Sequence, residues 1–285
     1  MKKTSKYIFF FLLFLVFLSL IPFNNFLKSN SDEIGIITID YPITSSEGFS
    51  RELDYLINDK NLKNIIIRLN TPGGGVAASQ EIFSRIIKER KENDINFISS
   101  ISSVAASGGY YIAIATNKIF ANPGSITGSI GVIMEYPIVE ELMDKIGIEF
   151  NTIKSSEYKD TGSPFRKMTE DENLYFQDLI NDLYEQFVEE VSNQRDIPIT
   201  KVKDVANGKI FSGKQALEIG LIDTLGTLND AIEYLKVINK YNEDIKLVKM
   251  PNEEKSIFDF IFNILSYKLE PSNENYTIPQ YLIVK

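Results

Sequence analysis

The 285-residue sequence contains no cysteine, no histidine and no tryptophan. Without cysteine the chain has no disulfide bond, no cysteine nucleophile and no thiolate metal site. Without histidine it has no Ser-His-Asp triad, no histidine general base and no histidine-bound zinc. If a side chain of this protein acts as a hydrolytic nucleophile, its base must therefore be a lysine, an aspartate, a glutamate or a tyrosine.

Positive charge is scarce after the first 28 residues. The chain has 30 Lys and Arg residues against 39 Asp and Glu residues, which gives a formal net charge of −9. Residues 1–28 hold four lysines and no acidic residue, which leaves 26 basic and 39 acidic residues in 29–285. Since nucleic acid binds basic surfaces, this composition argues against a nucleic-acid partner.

A long apolar run lies near the N-terminus, where residues 7–27 contain no charged side chain. As a helix the run would be about 30 Å long, enough to cross the hydrocarbon core of a bilayer. The lysines before it predict that residues 1–6 are cytoplasmic and that the chain beyond a linker over 28–33 lies outside the cell membrane. A cleaved signal peptide, with Pro22 in the cleavage region, is the alternative, but bulky residues continue to Leu27 where cleavage requires small ones.

Strand and helix patterns alternate through the first half of the remaining chain. Apolar, β-branched runs predict strands over 33–43, 64–70 and 95–101. Apolar residues at helical spacing predict helices over 49–60 and 76–90. This alternation predicts an α/β fold with parallel strands.

The second half has stronger helical patterns. Residues 169–194 predict a long amphipathic helix, with Thr169 and Glu172 in the positions of a capping box. Residues 256–269 predict a strongly apolar helix, followed by a tail that ends in YLIVK. Because this helix carries little positive charge, we expect it to pack on a neighbouring subunit rather than on a membrane surface or in the core.

A glycine run, TPGGG, occupies residues 71–75 directly after a predicted strand. Such a run lets backbone N–H groups face outward without side-chain hindrance, which suits an oxyanion or a phosphate. Nucleotide is disfavoured, because Val76 and Ala77 stand where a Walker loop needs Lys and Ser or Thr. A tight turn between strand and helix is the alternative interpretation.

A serine followed by two glycines opens an apolar helix in the sequence VAASGGYY, residues 104–111. This arrangement is typical of a nucleophile at a helix N-terminus, where the helix dipole favours an alkoxide. Alternatively, Ser107 only caps the helix. A lysine base would need its pKa lowered from about 10.4 toward neutrality, and the sequence pattern does not single out one lysine for that role.

Five motifs together resemble the signal peptide peptidase A family. They are NTPGGG, AASGGYY, NPGSITGSIGVI, SSEYKD and GKIFSGKQALEIGLIDTLGTLNDAI. They follow the family's order and spacing between about residues 34 and 236, and the chain is similar to the short, single-domain members of Gram-positive type. The resemblance implies a membrane-anchored serine endopeptidase with a Ser-Lys dyad that degrades remnant signal peptides. It implies no metal and no organic cofactor.

The resemblance also implies roles for individual residues. Ser107 matches the family's nucleophile and Lys159, in SSEYKD, matches its general base. Ser129, in TGSIG, matches the hydroxyl that orients the lysine amine. Gly74 and Gly108 match the residues whose backbone N–H groups form the oxyanion hole.

Two other lysines are candidates for the base. Lys154 and Lys167 lie close to the same motif, but neither occupies the position that matches the family's lysine.

The implied fold is a Clp protease/crotonase-like spiral of ββα units over 34–236. A helical C-terminal extension over 237–285 is expected to take part in assembly. Short family members form homo-octamers whose active sites use residues of neighbouring subunits, so Ser107 and Lys159 can come from different subunits. In similar proteins the C-terminus enters the active-site groove, and the apolar tail is compatible with such a placement.

Three rival functions compete with this interpretation. A crotonase-like acyl-CoA enzyme shares the fold, but it gives no reason for a Ser-Gly-Gly and a distant lysine on the outer side of a membrane. A catalytically silent scaffold or regulator of the same fold is the main alternative, since sequence does not show turnover. A membrane protease of the stomatin-operon type normally has several later spans, and no apolar run after residue 27 reaches 18 residues.

Overall fold

The computed structural model describes residues 32–242 and 244–251, together with the strand formed by residues 280–282. The predicted membrane anchor over 7–27 and the predicted apolar helix over 256–269 lie outside the described residues. None of the described helices is both long enough and apolar enough to span a bilayer.

The described strands and helices alternate along the chain. The strands are β1 (Asp32–Ile39), β2 (Asn64–Thr71), β3 (Gly73–Gly75), β4 (Asn96–Ala106), β5 (Lys118–Ala121), β6 (Ile126–Gly128), β7 (Ile210–Ser212), β8 (Thr224–Leu225), β9 (Ile245–Val248) and β10 (Gln280–Leu282). The helices are α1 (Glu47–Asp54), α2 (Val76–Glu92), α3 (Gly108–Ile114), α4 (Glu140–Lys145), α5 (Glu170–Arg195), α6 (Ile199–Val205), α7 (Gly213–Glu218) and α8 (Leu228–Asn239). A π-helical turn (Tyr55–Asp59) extends α1, and a 3-10 turn (Glu157–Asp160) precedes α5.

The main sheet has eight strands and is mostly parallel. Six strands follow the order β7-β6-β4-β2-β1-β9, while β5 pairs with β4 and β8 pairs with β5. Its centre is made of runs of isoleucine that are buried on both faces, as parallel sheets require; Ile37 of β1 pairs with Ile67 of β2. The molecule is therefore a mixed α/β fold with a parallel-rich sheet, as the alternation of patterns predicts.

The long strand β4 has two successive neighbours on one edge. Its first part pairs with β5, for example Ile101 with Ala121, and its last residues pair with β6, for example Ala106 with Gly128. The predicted strand over 95–101 therefore continues five residues further than its apolar pattern indicates. This extension carries the chain directly to Ser107.

Helices cover both faces of the sheet. On the larger core, aromatic rings connect three helices: Phe83 of α2 lies 4.9 Å from Tyr111 of α3, which lies 5.0 Å from Phe187 of α5, between ring centroids. On the other face, α8 packs through Ala231 and Leu235 against isoleucines of β1, β2 and β4. The helix that follows Ser107 is thus fixed from two sides, which keeps the turn before it rigid.

One segment contributes little to this packing beyond Val132. Residues 131–168, here called the exposed arm, include no buried residue. The large apolar side chains that it leaves exposed are Ile138, Leu142, Ile146, Ile148, Phe150, Ile153, Tyr158 and Phe165. Such a concentration of exposed apolar side chains is typical of an interaction surface.

Candidate active site

Ser107 forms a sharp turn between β4 and α3. Its backbone has φ 54° and ψ −119°, in the left-handed region that a non-glycine residue rarely adopts. The Ser107 N–H donates to the carbonyl of Gly128 at 2.8 Å, which fixes the turn to the end of β6. A backbone held in such a conformation by its surroundings is typical of functional sites.

The Ser107 hydroxyl is fully buried and has no hydrogen-bond partner among the residues that the structure describes. It does not cap α3, so the interpretation of Ser107 as a simple helix cap is wrong. A buried hydroxyl left without a partner costs about 1–3 kcal/mol, and such groups are rare in folded proteins. The arrangement therefore indicates a group retained for chemistry rather than for stability.

The glycines of TPGGG form the short strand β3. The Ile43 N–H donates to the carbonyl of Gly73 at 2.8 Å, and the Gly75 N–H donates to the carbonyl of Ile43 at 2.7 Å. Because the backbone groups of a strand alternate in direction, the Gly74 N–H faces the opposite edge of β3. A Cβ atom at Gly74 would lie 2.0 Å from the Ile43 carbonyl oxygen, so only glycine fits this close approach.

The C-terminal strand β10 pairs with that opposite edge. The pairing is antiparallel, with Tyr281 opposite Gly74 and Leu282 opposite Gly73. β10 also contacts α3, the helix that begins after Ser107. An extended segment of this chain thus lies along the edge that carries the predicted oxyanion donor, in the manner of a peptide that adds a strand to a sheet.

Ser129 lies next to Ser107. The two serines directly follow the paired residues Gly128 and Ala106, at the same end of adjacent strands. Ser129 is buried, has φ 53°, and its N–H donates to the carbonyl of Lys209 at 2.8 Å. It lines a cavity of about 690 Å³ whose other lining residues include Ile130, Val132, Ile180 and Ile210.

Lys159 lies in the 3-10 turn of the exposed arm and is itself exposed. Its side chain makes no hydrogen bond or ion pair with any residue that the structure describes. Since the Ser107 hydroxyl also has no partner, the two groups are not joined within one chain. A single chain therefore brings together Ser107, Ser129 and the β3 glycines but does not add Lys159 to them.

The two competing lysines are already engaged. The Lys154 ammonium lies 2.6 Å from Asp160 and also donates to the carbonyl of Glu157 at 2.8 Å. Lys167 lies 3.6 Å from Glu141. Both act as ion-pair donors, a role that competes with accepting a proton from serine.

A polar cluster fixes the turn that carries Lys159, and the sequence patterns did not indicate it. Arg166 donates through Nε and Nη2 to both carboxylate oxygens of Asp160, each at 2.8 Å. It also donates to both oxygens of Glu172, through Nη1 at 2.8 Å and Nη2 at 2.5 Å. Glu172 in turn accepts from the backbone N–H of Thr169 at 2.8 Å, in the capping box of α5.

The described residues contain no group of three or more acidic side chains placed to hold a metal ion.

Comparisons with known proteins find relatives of this chain among peptidases. The model of peptidase family S49 matches residues 89–242, which include Ser107, Ser129 and Lys159. A putative protease of Synechocystis sp. is 42% identical over 188 residues, which are 66% of this chain and 67% of the relative. A putative signal peptide peptidase SppA of Enterococcus faecium is 37% identical over 207 residues, 73% of this chain and 60% of the relative.

A third relative comes from an archaeon. A putative protease of Methanocaldococcus jannaschii is 36% identical over 211 residues, which are 74% of this chain and 67% of the relative. The chain belongs to peptidase family S49, the signal peptide peptidase A family that its motifs resemble.

Proposed function

We propose that this chain is a membrane-anchored serine endopeptidase with a Ser-Lys dyad, which degrades remnant signal peptides and other short hydrophobic peptides. The observation that carries the proposal is the buried, unpartnered hydroxyl of Ser107 on its left-handed turn. The peptidase family supports the reaction type, and the apolar run over 7–27 supports the anchor. The parallel-rich sheet is compatible with the Clp protease/crotonase-like spiral.

In the proposed reaction, the Ser107 oxygen attacks the carbonyl carbon of the scissile peptide bond while the neutral amine of Lys159 takes the hydroxyl proton. The backbone N–H groups of Gly74 and Gly108 donate to the oxyanion, each worth about 3–4 kcal/mol in transition-state stabilisation. Ser129 accepts a hydrogen bond from the Lys159 amine and orients it. The lysine then gives its proton to the leaving nitrogen, and an acyl group remains on Ser107.

Deacylation repeats these steps with water. Lys159 removes a proton from a water molecule, whose oxygen attacks the ester carbonyl. When the tetrahedral intermediate collapses, the proton returns to the Ser107 oxygen and the peptide acid leaves. No cofactor is needed in either half of the cycle.

The surroundings of the site support an extended, apolar substrate. The edge of β3 that faces away from Ile43 pairs with β10 in this structure, and an extended substrate could pair there in its place. The cavity beside Ser129 is lined largely by aliphatic side chains, which suit the apolar side chains of a signal peptide.

We further propose that the base comes from a neighbouring subunit of a ring, an octamer by family resemblance. Lys159 lacks a partner among the described residues of its own chain, and it lies in an arm with eight exposed large apolar side chains. Burying that surface against a second copy would remove apolar side chains from water and bring the arm next to another subunit's Ser107.

The proposal is tested with the full chain in detergent, by hydrolysis of a fluorogenic peptide with apolar residues before the scissile bond. Ser107→Ala and Lys159→Ala should each abolish turnover while light scattering shows an unchanged assembly. Co-expressing the two inactive variants should restore about a quarter of wild-type activity, because random assembly of a ring reunites both residues at about one site in four.

Each outcome has a clear meaning. Turnover by Ser107→Ala would remove Ser107 as the nucleophile. No recovery in the mixed assembly would place both members of the dyad in one subunit. An assembled wild-type protein without turnover would favour the silent scaffold.

A further inference from the structure

The exposed arm has little apolar packing of its own, yet the turn that carries Lys159 is closely held. The side chain of Asp160, next to Lys159, is only 13% exposed, and that of Glu172 is 3% exposed. Arg166 connects the two carboxylates with four charge-assisted hydrogen bonds, two to each. Bidentate bonds of this kind fix direction as well as distance.

The other end of this connection is rigid. Glu172 lies in the first turn of α5, accepts from the Thr169 N–H, and accepts from the Thr161 hydroxyl at 3.1 Å. α5 packs into the main core through Phe187 and two further buried residues. The guanidinium therefore connects the residue beside Lys159 to the core of the molecule.

The same cluster controls the charges nearest to Lys159. The hydrogen bonds from Arg166, followed by those from Lys154, hold the pKa of Asp160 well below its usual range. Hydrogen bonds from Arg166 also lower the pKa of Glu172 to about 2. Asp160 is thus an anion whose oxygens are taken by two other cations, which leaves its neighbour Lys159 without a carboxylate partner.

We propose that Arg166 is a positioning residue of the peptidase, which acts through Asp160 and Glu172 to aim Lys159 and to keep Asp160 from pairing with its amine. The inference rests on the proposed function, in which Lys159 is the base. Arg166 touches neither substrate nor Ser107; it sets the place and the charge environment of the group that does the proton transfer. Lysine is a poor substitute at this position, since an ammonium cannot make bidentate bonds to two carboxylates at once.

Other charged and titratable groups around the turn complete this environment. Those on the arm and at the start of α5 are Lys154, Glu157, Tyr158, Asp160, Lys167, Glu172 and Tyr175. Among the described residues, Arg166 is the one cation bonded to both Asp160 and Glu172. Its loss frees Asp160 to interact with Lys159, an attraction that favours the protonated amine.

The test compares Arg166→Gln with Lys167→Gln in the full-length enzyme. Lys167 is a matched control: it is the next residue, loses the same charge, and its side chain is 68% exposed. We expect Arg166→Gln to lower kcat by about 10- to 100-fold with little change in KM, as a displaced catalytic group does. Its pH–rate profile should move to higher pH, while Lys167→Gln should stay within about twofold of wild type.

Two further variants make the result specific. Adding Asp160→Asn to Arg166→Gln should return the pH midpoint toward that of the wild type, because the carboxylate that could pair with Lys159 is gone. The kcat should stay low, because Arg166 no longer fixes the turn that carries Lys159. If Arg166→Gln fails to assemble, Arg166→Lys is tested in its place. We expect its kcat to be lower than that of the wild type but measurable, and a kcat equal to that of the wild type would overturn the proposal. Equal kcat and equal pH midpoints for Arg166→Gln and Lys167→Gln would overturn it too.

Failure of this inference is distinguishable from failure of the proposed function. Turnover by Lys159→Ala would remove the base itself and, with it, the proposed function. An inactive Lys159→Ala together with a normal Arg166→Gln would refute only the positioning role.

Discussion

Replacing Gly74 with alanine should disable the proposed oxyanion hole while the fold survives. The added Cβ would lie 2.0 Å from the carbonyl oxygen of Ile43, and 2.6 Å from its carbonyl carbon and its nitrogen. These are backbone atoms, held on both sides by hydrogen bonds of 2.8 and 2.7 Å to Gly73 and Gly75. They cannot move aside as the end of a flexible side chain could, so β3 itself must shift.

The size of this shift sets the expected effect. Restoring an ordinary contact of 3.4 Å requires a movement of β3 by about 1.4 Å, away from Ile43 and toward the edge where β10 pairs. A displacement of even about 1 Å can cost about 100-fold in rate. The Gly74 N–H would then miss the oxyanion position. Loss of one such donor lowers kcat by about 10²- to 10³-fold. The accompanying strain should reduce the free energy of unfolding by about 1–3 kcal/mol.

Gly124→Ala is the matched control. Gly124 lies in the turn between β5 and β6, where an added Cβ meets no atom within 4 Å. Steady-state hydrolysis of the fluorogenic peptide gives kcat for both variants, while thermal unfolding and light scattering confirm folded assemblies. A folded Gly74→Ala protein whose kcat is within threefold of Gly124→Ala would show that the Gly74 N–H is not an oxyanion donor.

Two other perturbations address the tail and the arm. Ending the chain at residue 279 removes β10 from the edge of β3, so kcat/KM for added peptide should rise. If kcat/KM does not change, and the tail of the wild-type protein is intact, β10 does not compete with the substrate for that edge. In the folded protein, hydrogen bonds from Arg166 lower the pKa of Glu172 from 4.5 to about 2. The contribution of Glu172 to stability is therefore present above about pH 4.5 and is lost as the pH falls toward 2. The thermal midpoint of the wild type should therefore fall more steeply than that of Arg166→Gln over this range, and parallel curves would contradict the role of the ion pairs.

Local patterns in the sequence predict the features that depend on neighbouring residues. The parallel sheet follows from runs such as Ile65–Ile67, which only a strand buried on both faces accommodates. The capping box of Thr169 and Glu172 is present as the sequence predicts, because it involves residues three positions apart.

Features that join distant segments are not visible in those patterns. The bridge between Ile43 and Gly74 connects a loop with a strand 31 residues away, and it explains why this glycine has no substitute. Asp160, Arg166 and Glu172 are spaced six residues apart, a spacing that matches neither a helix nor a strand. Their cluster forms only because irregular chain folds back on the first turn of α5.

The proposed contribution of the base by a neighbouring subunit has a physical basis in how each segment is held. The sheet and α3 hold Ser107 rigidly through contacts within one chain, whereas the arm that carries Lys159 has no buried residue and exposes its apolar side chains. In the proposed enzyme, folding builds the nucleophile and the glycine strand, and association of subunits adds the lysine. A serine without its base is a weak nucleophile, so an isolated subunit would be folded but inactive. The cluster around Arg166 is consistent with such a two-step assembly of the site. It would hold the Lys159 side chain in position and keep its amine unpaired before a second subunit contributes any contact.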